Sequence, residues 1–192
     1  MPNDLQRLNI KFYLEDETSV SPEEVFRIFN RWISEPRDEV LIDVADYTHI
    51  PNGPQTLLVG HESDYSLDNT DGRMGLRYGR KRPVDGDARQ CLRAALSAAL
   101  NACQRLEEAP EVEGRAQFGA ELQMSVFDRL GSPNSAQTLE ALREDLLAVL
   151  SEIYGEAQIS LTRDEDERQC LTVQIQAQGD FSVASMKQAL TA

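Results

Sequence analysis

The chain has 192 residues and a mass of 21.5 kDa, enough for one sizeable hydrophobic core or two small ones. Thirty-three acidic against 19 basic residues leave a formal charge of −14, a field that repels phosphate backbones and argues against nucleic-acid binding. No stretch approaches the ~18 apolar residues of a membrane span, and residues 1–7 lack the basic-then-apolar order of a secretory signal, so a cytoplasmic protein without membrane contact is expected.

In chain order, Leu8 to Glu15 alternates as a strand does, with Leu8, Ile10, Phe12 and Leu14 on one face. Ser21-Pro22-Glu23-Glu24 reads as an N-cap, a proline in the first turn and an acidic helix start. The helix that follows carries Val25, Phe26, Ile28, Phe29, Trp32 and Ile33 as its apolar stripe, and Pro36 is expected to end it. Val40 to Tyr47, Gln55 to Glu62 and Arg73 to Arg80 read as strands, separated by the turn residues Ile50 to Pro54 and Asp68 to Gly72. Asp87 to Glu108 is the longest predicted helix, its alanines suited to close packing on a sheet. Gln117 to Asp128 is then a strand, Ser135 to Tyr154 a helix with Gly155 just beyond it, Ala157 to Thr162 and Leu171 to Ala177 strands, and Ser182 to Leu190 a closing helix.

This order predicts an α+β fold of seven strands and four helices. Residues 1–110 and 115–192 read as two ferredoxin-like (split β-α-β) halves, packed together into one mainly antiparallel sheet with helices on one face. The open face, mildly apolar at Leu41, Ala45 and Leu58, suggests a homodimer. Cys91, Cys103 and Cys170 form no disulfide framework and no zinc motif, so reduced thiols are expected.

Chemistry concentrates between Asp43 and Arg82. A hairpin turning at Ile50 to Pro54 sets His61 opposite Asp43 and leaves His49 about 20 Å away along the ladder, too far for one metal to bind both histidines. What survives is an Asp43–His61 pair, half of a general acid/base arrangement. The stretch from Asp68 to Gly72 lacks calcium-loop spacing and reads as a turn. Arg73, Arg77, Arg80, Lys81 and Arg82 crowd five cations into ten residues of an acidic chain, suiting either cross-strand pairing with Glu62 to Asp68 or an anion site. Gly79 is expected to open space beside His61 that Arg77 can reach.

Ligand contact is therefore expected at Asp43, His61, Arg73, Arg77 and Tyr78, with no metal and no cofactor. Three functions compete on these residues. The first is a non-catalytic module that binds a small anionic ligand or supports assembly. The second is an enzyme using Asp43 and His61 as acid and base on an anionic small molecule. The third is an acidic protein that neutralises a basic protein partner. The first is favoured because no nucleophile, metal or second acid accompanies the pair.

Overall fold

The computed structural model describes residues 5–35 and 39–191. Pro36 and the segment Met1 to Asp4, used above to place a helix end and to judge a leader, lie outside the described residues. The elements are β1 (Leu8–Leu14), α1 (Pro22–Ser34), β2 (Leu41–Asp46), β3 (Pro54–Gly60), β4 (Ser63–Asp68), β5 (Gly75–Arg80), α2 (Ala88–Glu107), β6 (Phe118–Val126), α3 (Ala136–Tyr154), β7 (Ile159–Arg163), β8 (Leu171–Ala177) and α4 (Val183–Thr191). They form an α+β fold in which eight strands make one sheet in the order β2-β3-β4-β5-β1-β6-β8-β7, antiparallel at every pairing.

Local chemistry accounts for most boundaries. At the start of α1 the Ser21 hydroxyl accepts the Glu24 N–H at 3.2 Å while the Ser21 N–H donates to the Glu24 carboxylate at 2.8 Å. This reciprocal box satisfies two groups the first turn would otherwise leave unpaired. Asp87 and Gln90 repeat the arrangement at α2, and Ser135 caps α3. Of the stripe on α1, Val25, Ile28, Phe29 and Trp32 are buried, whereas Phe26 stays on the surface. On α2, Ala95, Ala99 and Ala102 are buried where the helix packs on β1 and β5, their small size permitting the close approach. Cys91 and Cys103 are free, buried thiols of this helix, and burial pushes the Cys103 thiol pKa well up.

The four helices cover one face, where Leu8, Ile10 and Phe12 of β1, Leu122 and Met124 of β6 and Val173 and Ile175 of β8 are buried among them. The other face is open. Among the described residues no helix is long and apolar enough to cross a membrane.

The sheet has one strand more than the seven expected. Gln55 onward does not run on as a single strand, because His61 and Glu62 form a tight turn and the chain doubles back as β4, with Val59 facing Asp64. Gly60 permits this reversal, since a Cβ there would stand 2.5 Å from the Ser63 carbonyl oxygen. The β2–β3 hairpin closes between Tyr47 and Gln55, two residues off the expected register, and the extra reversal resets β4 against β5. Asp43 pairs with Val59 instead of His61, and Gly79 pairs with Asp64 instead of His61. Leu58, expected on the open face, is fully buried under the helices, and Leu41 packs against the same core. The apolar residues beside Ala45 on the open side are Leu57 and Val59.

Candidate functional site

Because strand residues alternate between faces, the register fixes which side chains share the open surface. One row there runs Leu57, Ser66, Arg77, Lys11, Gln123 and Gln174 across β3, β4, β5, β1, β6 and β8. The next runs Asp64, Gly79, Asn9, Ser125 and Thr172. Nine polar or charged residues out of eleven would be unremarkable on a solvated face. Two features of these rows are not: a set of ions withdrawn from water, and a groove beside it.

The withdrawn ions centre on Lys11, whose exposure is only 2%, equal to that of Asp68. Its ammonium lies 2.5 Å from Asp71, 3.1 Å from Asp68 and 2.7 Å from the carbonyl oxygen of Arg73, to which it donates. Two of its donors are hydrogen-bonded, to Asp71 and the Arg73 carbonyl, and Asp68 completes the charge balance as an ion-pair neighbour. The Tyr13 hydroxyl meets Asp71 at 2.5 Å and Gln174 at 2.9 Å, and Gln123 donates to Asp71 at 3.1 Å. The Arg73 guanidinium lies 3.9 Å above the Tyr13 ring and is held from the far side by Glu121. Gly75 makes the arrangement possible, since a Cβ there would run into the Phe12 carbonyl oxygen and the stem of Lys11. Burial opposes ionisation of Asp71, but the hydrogen bonds from Lys11 and Tyr13 and the lysine charge outweigh it, so its pKa lies below the ordinary value. Burial, reinforced by the bond to Asp71, pushes the Tyr13 pKa well up. The cluster thus pins the β4–β5 turn onto the open face with its polar groups satisfied.

Beside it lies a groove of about 510 Å³ with Ser66 and Gly79 at its floor and Leu57, Arg77, Asn9, Arg7 and Phe127 among its walls. Here the polar groups are not satisfied. The Ser66 hydroxyl, in a side chain only 1% exposed, has no hydrogen-bond partner. No hydrogen bond to the Asn9 amide or the Arg7 guanidinium is present among the described residues. Arg80 points the other way, donating to the Tyr78 hydroxyl at 3.2 Å on the helix-covered face and to the Arg82 carbonyl at 3.0 Å. Arg77 shares Asp68 at 3.2 Å, and Lys81 pairs with Asp64 at 2.7 Å.

Of the residues expected to contact a ligand, the structure brings only Arg77 to this groove. Asp43 accepts the Val44 N–H at 2.9 Å on the edge strand β2. His61 sits in the β3–β4 turn with its Nε2 2.7 Å from Arg82. Guanidinium has only donors, so that nitrogen is the acceptor. The Asp43–His61 acid/base pair is not assembled: β2 and β3 pair two residues off the expected register, so Asp43 faces Val59, and His61 lies beyond β3 in the turn. Arg73 belongs to the Lys11 cluster, and Tyr78 lies buried on the helix-covered face. Of the five-cation run, Arg77 and Lys81 pair with Asp68 and Asp64 of β4 as cross-strand partners, Arg73 with Glu121 of β6, and Arg80 bonds the Tyr78 hydroxyl. Ser66 and Asn9 were missed, although the alternation of Ser63, Tyr65 and Leu67 with Asp64, Ser66 and Asp68 is itself a strand signal.

Among the described residues no group of three or more histidine, cysteine or carboxylate side chains is placed to hold a metal ion. Comparison with known proteins finds no matching family model, no similar curated protein and no matching solved structure.

Proposed function

We propose that this protein is a non-catalytic binding module that takes a small anionic ligand in the groove on its open sheet face. The observation that carries the reading is the Ser66 hydroxyl, buried without a partner at the groove floor directly across from Arg77. Leaving such a group unpaired costs about 1–3 kcal/mol, a cost that a bound oxyanion would remove by accepting a hydrogen bond from it. Arg77, Arg7 and Lys81 supply charge around the same point in a chain that is otherwise strongly acidic, so the attraction is local. Gly79 keeps the floor open, because a Cβ there would stand 2.9 Å from the Asn9 amide oxygen. The volume falls within the range of small-molecule sites, about 300–1,000 Å³.

The fold supports part of the ferredoxin-like reading as well. β8 lies between β6 and β7, the order a split β-α-β unit requires, whereas β5, β4 and β3 separate β1 from β2 in the first half. That longer insertion carries Ser66, Arg77 and Gly79.

The test is an NMR titration of the full chain with inorganic phosphate and with acetate. Binding in the groove shifts the amides of Asn9, Ser66, Arg77 and Gly79 together and saturates, and Arg77→Gln weakens it without lowering the melting temperature. Shifts that fail to saturate, or that survive Arg77→Gln unchanged, would remove the reading.

A further inference from the structure

We infer that the ligand is an amphipathic anion, an acid head carrying an aliphatic chain, and that the chain lies across β3 and β2; this rests on the groove reading above and adds the rest of the ligand to it. The first argument is where polarity changes on the open face. From β4 to β8 the two rows present polar or charged side chains, with Gly79 as the bare position. Between β4 and β3 they turn apolar. Leu57 is the β3 partner of Ser66, Ala45 is the β2 partner of Leu57, and Val59 is the β3 partner of Asp64.

The second argument is continuity with the anion site. Leu57 and Pro54 line the groove together with Ser66 and Arg77, so the apolar patch begins where the site for the head ends. Strands stand about 4.8 Å apart, which places Ala45 two steps from Ser66, about 10 Å away. A chain attached to a head at Ser66 and Arg77 has two ways to run across the sheet. Toward β1 it would cover Lys11 and the ions around it, stripping water from polar groups. Toward β2 it covers Leu57 and Ala45, with Val59 alongside, and removes apolar surface from water.

The third argument is what else could cover the patch. The helices lie on the opposite face. Ala45, Pro54, Leu57 and Val59 are each already half-buried. What they still expose is far below the roughly 800 Å² that each partner gives to a standard protein interface, so a second copy is poorly served by it. A formal charge of −14 also opposes an anionic bilayer, which makes the occupant a free amphiphile whose own head is met by Arg77.

The experiment is an NMR titration of the full chain at pH 8 with acetate, butanoate, hexanoate and octanoate, which share one head and differ only in the chain. Full burial of a methylene is worth about fourfold in affinity, so a chain covered by protein on one side gains about twofold for each. Octanoate is therefore expected to bind about 50-fold tighter than acetate and to shift the amides of Ala45, Leu57 and Val59, which acetate leaves in place. Leu57→Thr and Val59→Thr, substitutions that suit a strand, are expected to flatten the series at unchanged melting temperature and unchanged acetate affinity. Equal affinity for acetate and octanoate, both lost in Arg77→Gln, would overturn the chain and leave the anion groove standing. A length dependence that survives both threonine variants would overturn its placement on β3 and β2. A dimer of the free protein that Leu57→Thr dissociates would give the patch to a second copy and overturn the inference. Absence of binding by all four acids, or binding indifferent to Arg77→Gln, would overturn the groove reading as well.

Discussion

The Lys11 cluster and the Ser66–Arg77 groove are neighbours on one sheet face, built from the same strands, yet they use their polar groups in opposite ways. Around Lys11 the charges and hydrogen bonds are matched: Lys11 on Asp71 and the Arg73 carbonyl with Asp68 beside it, Tyr13 and Gln123 on Asp71, Arg73 on Glu121. Around Ser66 they do not, and spare donors face open space. A saturated polar cluster rigidifies the structure, because every member would lose by moving. An unsaturated one costs stability until something else completes it, which is the expected state of a binding site without its ligand. Asp68 joins the two, holding Lys11 at 3.1 Å with one oxygen and Arg77 at 3.2 Å with the other.

The contrast is sharpened first by removing its most buried charge. Lys11→Met leaves Asp68 with a buried carboxylate short of a partner, and is expected to destabilise the fold by about 3–5 kcal/mol in urea unfolding. A loss below about 1 kcal/mol would match an ordinary exposed ion pair instead and break the description of the cluster as a withdrawn, mutually dependent set.

The two glycines give the next test. Gly75→Ala drives a Cβ into the Phe12 carbonyl oxygen, a backbone atom that cannot step aside, so a loss of about 1–3 kcal/mol is expected. Gly79→Ala meets only the end of the Asn9 side chain, which can rotate, so stability should change by less than about 1 kcal/mol while phosphate binding is lost. Equal melting temperatures for the two variants would erase the distinction.

Ser66→Ala reads the opposite sign. Deleting a buried hydroxyl that has no partner should raise stability by about 1 kcal/mol and weaken anion binding together. A destabilised Ser66→Ala would mean the hydroxyl is already bonded in the free protein.

The smallest effect is on pH dependence. Asp71 has a folded pKa below its unfolded value, so it contributes stability that is fully present above the ordinary carboxylate pKa and is lost as pH falls through the depressed one. The melting-temperature gap between wild type and Asp71→Asn should therefore be constant near neutrality and narrow from about pH 5 downward. Tyr13 acts at the other end. Its raised pKa makes its contribution complete below the unfolded tyrosine value and lost as pH rises towards the folded one, so Tyr13→Phe should flatten the alkaline limb.

Several of these elements could be read directly from residue order. The alternation in β1, the reciprocal cap of Ser21 and Glu24 and the alanine-rich face of α2 are local patterns, each formed by residues within one or two turns of one another. Alternation within β5 likewise put Arg77 and Gly79 on one face, but the space above Gly79 was expected beside His61, and Asp64 stands there instead. The β3–β4 reversal was harder to see. It has no Asn-Gly or Asp-Gly pair, only Gly60 before His61 and Glu62, and the need for that glycine shows only once the Ser63 carbonyl is in place.

Lys11 illustrates the same limit from another direction. A lysine on the outward side of a strand reads as solvent-exposed, and nothing near it in the chain says otherwise. Its acceptors lie 57 to 62 residues away, brought over it by the β4–β5 turn. Periodicity and capping were thus carried by short-range chemistry and settled the α+β class. The partners of each side chain were set by register, and register depends on the number of reversals between strands. The β2–β3 register set Val59 opposite Asp43 on the edge strand, and the two-residue turn at His61 and Glu62 set Asp64, not His61, opposite Gly79.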